Sequence, residues 1–270
     1  MLRCLFWNLQ RRGLSQVVAE AAKSLSIDMF AVCETDDPRQ VTLAELRKIA
    51  SFHLTTGLIS QRFHIFTRFP KAYVRVVEEN DRFLILDMTL PARDRFLWMV
   101  LHGPSKRSGW NSTSIGIELT HYANSLRAAQ ARCNVAHALV VGDFNANPFD
   151  PALVTASAFN SVMDAREARK GYKTVQRKQY GYFYNPMWNL LGDHTPGPPA
   201  SFFYDAHTQE ELQWHMVDQV LISPSLIDYV DVSRIRLLDA IGPHQLITPQ
   251  GRPQKKLFSD HLPLYFELKL

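Results

Sequence analysis

Cysteine is scarce. The 270 residues hold 3, Cys4, Cys33 and Cys133, none in a CxxC pair. So few and so scattered, they exclude a disulfide framework and fit buried free thiols in a reducing compartment. Glycine and proline number only 12 and 15, which excludes collagen-like and low-complexity chains. No uninterrupted apolar run reaches the roughly 18 residues of a membrane span. The start, Met-Leu-Arg-Cys-Leu-Phe-Trp-Asn, lacks the apolar region and small-residue cleavage site of a signal peptide. A soluble, cytoplasmic protein without stable membrane association is expected. The histidines form no HExxH and no finger spacing. There is no GxxxxGK(S/T), no GxGxxG and no GxSxG. These absences argue against zinc-hydrolase, phosphate-loop, dinucleotide and nucleophile-elbow chemistries.

What is present reads as a globular chain: 46% hydrophobic and 11% aromatic, too apolar for disorder and long enough to bury a full core. The net charge of +4 permits a polyanionic partner without demanding one.

Short apolar runs alternate with helical periodicity. Leu2–Asn8, Ile27–Cys33, Phe63–Thr67, Ala72–Val77, Phe83–Leu90, Phe96–Leu101, Ala138–Gly142, Val217–Ile222 and Leu262–Leu270 read as strands, the run from Phe63 to Leu101 as an antiparallel meander. Leu14, Val17, Val18, Ala21 and Leu25 mark an amphipathic helix, and Val41–Ala50 a second. Ile115, Leu119, Tyr122, Leu126, Ala129 and Cys133 mark the clearest one. Mixed strand–helix units with a meander predict an α/β sandwich of mixed sheets. Residues 170–216 stand apart, with ten aromatics among Pro, Gly and Asn. Two roles are open for them: a local satellite core, or the lining of a substrate groove.

The informative pattern is where polar residues fall. Apolar runs end in one acid, amide or imidazole: Asn8, Glu34, His102, then Asp143 and Asn145. Asp218 heads a strand, and Asp260 and His261 precede the last one. Polar groups at buried strand ends are costly unless paired. Together they gather hydrogen-bonding and acidic groups on one rim, where ligand sites form.

This set, Trp7-Asn8, Glu34, His102, Gly142-Asp143-Phe144-Asn145, Asp218 and Ser259-Asp260-His261, resembles the endonuclease/exonuclease/phosphatase family. The resemblance implies a deoxyribonuclease I-like four-layer α/β sandwich, two packed mixed sheets flanked by helices. It spans residues 7 to 261, so one domain over 1–270 is expected, with 170–216 as an aromatic-rich insert. It further implies a metal-dependent phosphodiester hydrolase using Mg²⁺ or Mn²⁺, hard cations suited to oxygen ligands. Glu34 looks like the main metal ligand, with Asn8 and Asp260 beside it. Asp143 would activate the attacking water, and Asn145 would orient that water or the phosphate. His261 would donate to the phosphate, with Asp218 as its carboxylate partner, and His102 would be a candidate general acid. One departure is Gln10, where several family nucleases carry an acid two positions after the first-strand Asn. Residues 184–193 also resemble a segment of uncharacterised bacterial members.

Local charge bears on substrate. Loops beyond the polar strand ends carry Arg11, Arg12, Arg39, Lys106, Arg107, Arg252, Lys255 and Lys256. The stretch 166–178 adds Arg166, Arg169, Lys170, Lys173, Arg177 and Lys178, with Glu167 opposing. Basic groups among aromatics suit a phosphate backbone with bases to stack on. Arg11, Arg12, Lys106, Arg107 and Trp188 are therefore the expected substrate contacts. The expected substrate is nucleic acid, DNA ahead of RNA. The alternatives are an inositol phosphate- or sphingomyelin-type phosphoester, and a non-catalytic nucleic-acid-binding module. No obligate protein partner is expected.

Overall fold

The apolar runs become strands buried on both faces. The computed structural model describes residues 1–105, 108–205 and 212–270. The chain opens with β1 (Leu2–Asn8), α1 (Ser15–Ser24), β2 (Met29–Cys33), α2 (Arg39–Arg47), β3 (His53–Thr55) and β4 (Phe63–Thr67). It continues with β5 (Val74–Glu79), β6 (Phe83–Met88), β7 (Phe96–His102), α3 (Ser112–Cys133), β8 (Ala138–Asp143) and α4 (Pro151–Val154). Short elements follow: β9 (Ser161–Val162), α5 (Ala165–Ala168), β10 (Tyr172–Val175), β11 (Lys178–Gly181), β12 (Phe183–Tyr184), β13 (Phe202–Phe203) and β14 (Trp214–His215). The chain closes with β15 (Asp218–Ile222), β16 (Arg236–Leu237), β17 (Ala240–Ile241), β18 (His244–Gln245) and β19 (Leu264–Leu268).

Two large mixed sheets result. One has strand order β16-β19-β1-β2-β4-β3, the other β5-β6-β7-β8-β15-β12-β9. The β1–β2 and β7–β8 pairs are parallel and most others antiparallel. The meander expected over Phe63–Leu101 is split. β4 closes on β2 and β3 in the first sheet, whereas β5, β6 and β7 run antiparallel in the second. Pro70 lies in the crossing; it has no amide hydrogen to give a ladder, so neither sheet extends through it.

Period-2 alternation sorts the side chains into layers. Phe6 of β1, Ala31 of β2, Val100 of β7 and Val141 of β8 share the core between the sheets. Leu5 and Trp7 face the other way, onto Val17 and Val18 of α1 and Leu43 and Leu46 of α2. Leu97, Met99 and Leu101 likewise face Leu119, Tyr122 and Leu126 of α3. Helix, sheet, sheet, helix is the four-layer sandwich expected. α3 starts with a capping box in which Asn111 accepts from the Ser114 amide at 2.8 Å. None of the helices among the described residues is long and apolar enough to cross a membrane.

The stretch 170–216 divides between both expected roles. Tyr182, Phe183 and Tyr184 are buried, and Tyr184 is paired with Ile222 inside the second sheet. Phe202 and Tyr204 instead line a cavity.

One expectation about charge is corrected here. The basic run 166–178 does not sit at the end of the sheet where the polar residues gather. β15 leaves Asp218 and reaches Ile222, which pairs with Leu139 near the start of β8. At about 3.4 Å per residue that is roughly 14 Å of travel. β12 runs antiparallel to β15 with Tyr184 at Ile222, so Phe183 and the β10–β11 hairpin before it lie beyond that far end.

Candidate active site

The same alternation builds the site. The inward stripe of β1 reads Leu2, Cys4, Phe6 and then Asn8. Inward in β7 are Phe96, Trp98, Val100 and then His102, and in β8 Leu139, Val141 and then Asp143. At one end of the inter-sheet core, the next inward position on several strands is polar. Register sets three of them in a row across adjacent strands, His102 opposite Asp143 and Asp143 opposite Asp218. Gly142 permits the close approach: a Cβ there would run into the Leu101 carbonyl oxygen. Glu34 follows inward-facing Cys33 and would point outward by parity. Its φ of 49° breaks the strand and re-aims it, whereas Asn145, two residues past inward-facing Asp143, shares its parity and takes φ 51° just beyond the end of β8.

Asp143 is the hub, 2% exposed. Its Oδ2 accepts from Asn8 Nδ2 at 3.0 Å and its Oδ1 from the Asn145 amide at 2.9 Å. Burial, with Asp218 nearby, pushes its carboxyl up to about 7, against the pull of His261. His261 Nδ1 donates to Asp218 Oδ2 at 2.8 Å, while its Nε2 lies 4.0 Å from Asp143 and 3.8 Å from Asp260. Burial alone would pull this imidazole down. The carboxylates of Asp218, Asp143 and Asp260 outweigh it and hold it up at about 10. His102 is the contrast. Burial, then the charges of Arg62, His261 and Arg82, push it down to about 3. It is therefore neutral at ordinary pH, its Nε2 3.4 Å from Glu34 and 3.7 Å from Asp143. Glu34 and Asp143 are its acidic neighbours.

Gln10 has a positive structural role. Its Nε2 donates to Asp260 Oδ2 at 2.9 Å, and its Oε1 accepts from the Asp260 amide at 3.2 Å. Ser259 ties the Ser-Asp-His turn to β1, donating to the Asn8 carbonyl at 2.6 Å and accepting from the His261 amide at 3.0 Å.

A cavity of about 530 Å³ opens over this cluster. Asn8, Glu34, His102, Asp143, Asn145, Asp260 and His261 line it, and Asp218 stands behind His261, fully buried. Arg11, Arg12 and Trp188 do not line it. Arg11 and Arg12 are exposed, the latter donating to the Lys255 carbonyl at 2.7 Å. Trp188 packs on Phe149 with ring centroids 6.1 Å apart. Lys106 and Arg107 lie outside the described residues. Sequence reading missed Gln10 as a contact, and also Ser105, Asn147, Asp150 and His215 in the lining. Their only sequence signals are the second Asn after Asp143 and the alternating aromatics before Asp218.

The donors suit a hard cation. Asp260 Oδ1 is buried without a hydrogen-bond partner among the described residues, and Glu34 lines the same cavity, so both supply carboxylate oxygens. Asp143, Asp218 and His261 also offer ligand atoms within 4.8 Å of one another, but the Asp218–His261 hydrogen bond already engages one atom of each.

Neither a family model nor a curated protein matches this sequence. Solved structures do. An endonuclease/exonuclease/phosphatase family protein of Bacteroides thetaiotaomicron is 14% identical with a TM-score of 0.59, covering 99% of this chain and 97% of that one. A mannosyl-6-phosphatase of the same bacterium is 15% identical with a TM-score of 0.59, covering 99% of both chains. An AP endonuclease from Archaeoglobus fulgidus is 15% identical with a TM-score of 0.55, covering both chains fully at 100%. The fold is that of the endonuclease/exonuclease/phosphatase structures, the class that the strand-end residues resemble.

Proposed function

We propose that this protein is a divalent-metal-dependent phosphodiester hydrolase acting on nucleic acid, DNA ahead of RNA. One observation carries the reading: buried Asp143, its oxygens held by Asn8 and the Asn145 amide, lies 4.0 Å from Nε2 of His261, whose Nδ1 is held by Asp218, in a cavity that Glu34 and Asp260 also line. Two groups whose surroundings move them toward base and acid duty are what hydrolysis at neutral pH needs.

Asp143 takes the proton of the attacking water as the new P–O bond forms and the P–O bond to the leaving oxygen breaks, that oxygen taking up a proton from solvent. Asn8 and the Asn145 amide aim its two oxygens. His261, oriented by Asp218, donates Nε2–H to a phosphate oxygen and offsets the charge that builds there. His102, neutral, separates the carboxylates of Glu34 and Asp143 without adding a charge. Glu34 and Asp260, with Asn8 alongside, would hold Mg²⁺ or Mn²⁺, which when bound neutralises negative charge on the phosphate. The similar folds of an AP endonuclease and a mannosyl-6-phosphatase are compatible with phosphoester chemistry and leave the substrate to the site.

A second reading, a small-molecule phosphoesterase, draws on a different observation. Among the described residues lining the cavity there is no lysine or arginine, and its volume is that of a small-molecule pocket. One experiment separates the two. The protein is incubated with Mg²⁺ or Mn²⁺ and plasmid, linear DNA, single strands, RNA and a phosphoinositide panel. Cleavage of nucleic acid that EDTA stops supports the nuclease. Phosphate release from the small molecules with DNA intact overturns it.

A further inference from the structure

The end of the second sheet away from the active site holds another cavity, of about 270 Å³. Its lining includes Arg127 and Gln130 of α3, Gly171 and Gly181 at the foot of the β10–β11 hairpin, Tyr182 and Ser223. The two glycines leave the space open. A Cβ on Gly171 would meet nothing within 4 Å, and one on Gly181 only the Gly171 carbonyl oxygen at 3.9 Å. Ser223 Oγ accepts from the amide of Ala138, the first residue of β8, at 2.9 Å. The length of β15 therefore separates this cavity from Asp218.

Arg127 is the informative residue. It is half-buried. Its Nη1 donates to the Ser157 carbonyl at 3.2 Å and to Asn124 Oδ1 at 3.3 Å, and its Nη2 donates to the Ala158 carbonyl at 2.5 Å. These acceptors are neutral, and they occupy one edge of the guanidinium, Nη1 with Nη2. The other edge, Nε–H with the second Nη2–H, has no acceptor among the described residues, and no carboxylate there pairs with the charge. Burial pulls the pKa of Arg127 down, with Tyr180 of β11 opposing, yet a guanidinium keeps its proton in a protein. A cation in a cavity with a two-donor edge open is one half of a bidentate pair.

The surroundings carry the same sign. The local acids already have partners: Asp164 pairs with Arg166, Glu167 with Lys170 and Asp228 with Arg169. Lys173 and Lys178 have no ion pair among the described residues. Register sets Lys173 opposite Tyr180 and Val175 opposite Lys178, so alternation places both lysines on the hairpin face of Tyr180. Lys173 and Tyr180 are the half-buried positions of two otherwise exposed strands, so this face turns toward the body of the protein.

We propose that the Arg127 cavity binds a dianionic phosphate, inorganic or at the end of a nucleotide chain, as an anion site separate from the catalytic one. The open guanidinium edge takes two phosphate oxygens, and the hairpin lysines supply the remaining charge. The inference does not rest on the hydrolase reading, and a chain that cleaves nothing would still bind.

Hydrogen exchange reads this site locally, apart from any phosphate held at Asp143. The full chain in EDTA at about pH 8, where phosphate is largely dianionic, receives inorganic phosphate or chloride at equal ionic strength. Phosphate should protect the amides of residues 171–183, and chloride should not. Arg127→Lys keeps the charge and loses the donor edge, so it should weaken binding about tenfold, the scale of one charge-assisted hydrogen bond. Where that variant does not fold, Lys173→Gln with Lys178→Gln, which breaks no ion pair, should weaken binding about threefold. A trinucleotide with and without a 5′-phosphate separates the two sources. Protection by the phosphorylated form admits a chain end to the site, and protection by inorganic phosphate alone restricts it to the free ion; both support the site. The proposal is overturned by chloride matching phosphate, by binding that is unchanged in whichever variant folds, or by no protection of 171–183 at about 20 mM phosphate.

Discussion

The two ends of the second sheet differ in kind. At one end, β7, β8 and β15 finish in His102, Asp143 and Asp218, each 5% exposed or less. Their charges are set by burial and by one another. At the other end, the segment before β12 carries the densest run of basic residues in the chain, and its charges are solvated. Arg166 pairs with Asp164 at 3.5 Å, Arg169 with Asp228 at 2.7 Å and Lys170 with Glu167 at 2.5 Å. Exposed pairs of this kind contribute little. The comparison teaches that a basic cluster in sequence does not mark the working face. A few acids and histidines spread over the whole chain do, because the register collects them.

The sharpest way to break that contrast is at the hub. Asp143→Asn keeps the size and the burial and removes the base. Hydrolysis should fall by about 10³-fold or more with an unchanged circular dichroism spectrum. Activity within tenfold of wild type would mean that the buried end is only a structural core. Asp218→Asn is the next largest. It leaves the cavity intact and removes the charge that orients and protonates His261, so kcat should drop by about 10²-fold. The alkaline limb of the pH–rate profile should move to lower pH as His261 loses that support. A merely structural role for Asp218 would lower stability without moving the limb.

Acid stability separates the two ends by a smaller amount. His102 is held at about 3 against an ordinary 6.5, so the folded state favours the neutral ring. Its contribution is fully present above pH 6.5 and is lost as pH falls toward 3. By pH 4 this amounts to about 3 kcal/mol. The thermal midpoint of wild type should fall over that window, and His102→Gln should flatten the curve. Glu167→Gln, at the solvated end, should leave the curve unchanged. Superimposed curves for all three chains would show that burial at the site end does not govern acid sensitivity.

How much of this was legible beforehand follows from parity. Asn8, His102 and Asp143 each occupy the next inward position of an apolar alternation, so the strands that display them announce them. Asp218 and His261 were readable as strand-end polar groups, but their 2.8 Å bond depends on β15 and the turn before β19 meeting across 43 residues. Glu34 violates parity, and only its left-handed backbone brings it to the cavity. Gln10 was noticed as a missing acid, whereas its pair of bonds to Asp260 needed the fold. The meander was misassigned between sheets because pairing partners are a long-range choice that periodicity does not encode. The aromatics of 170–216 were visible as composition, but which of them line the cavity depends on the β13–β14 register.

The smallest expected effect tests the other side of the comparison. Lys173, Arg177 and Lys178 stand on or in the turn of the β10–β11 hairpin, and Lys178 lies over the Tyr180 ring at 5.1 Å. They are separated from Asp218 by the length of β15. Beyond roughly one Debye length, about 8 Å at physiological salt, solvated charges are largely screened. Reversing all three to Glu should therefore change kcat/KM on a short oligonucleotide by less than about twofold. On long duplex DNA, any loss should appear in KM and shrink as salt is raised, since only a substrate long enough to reach the far end can feel the hairpin. A tenfold loss on the short substrate would place the basic run at the working face after all, and the argument from strand register would fail with it.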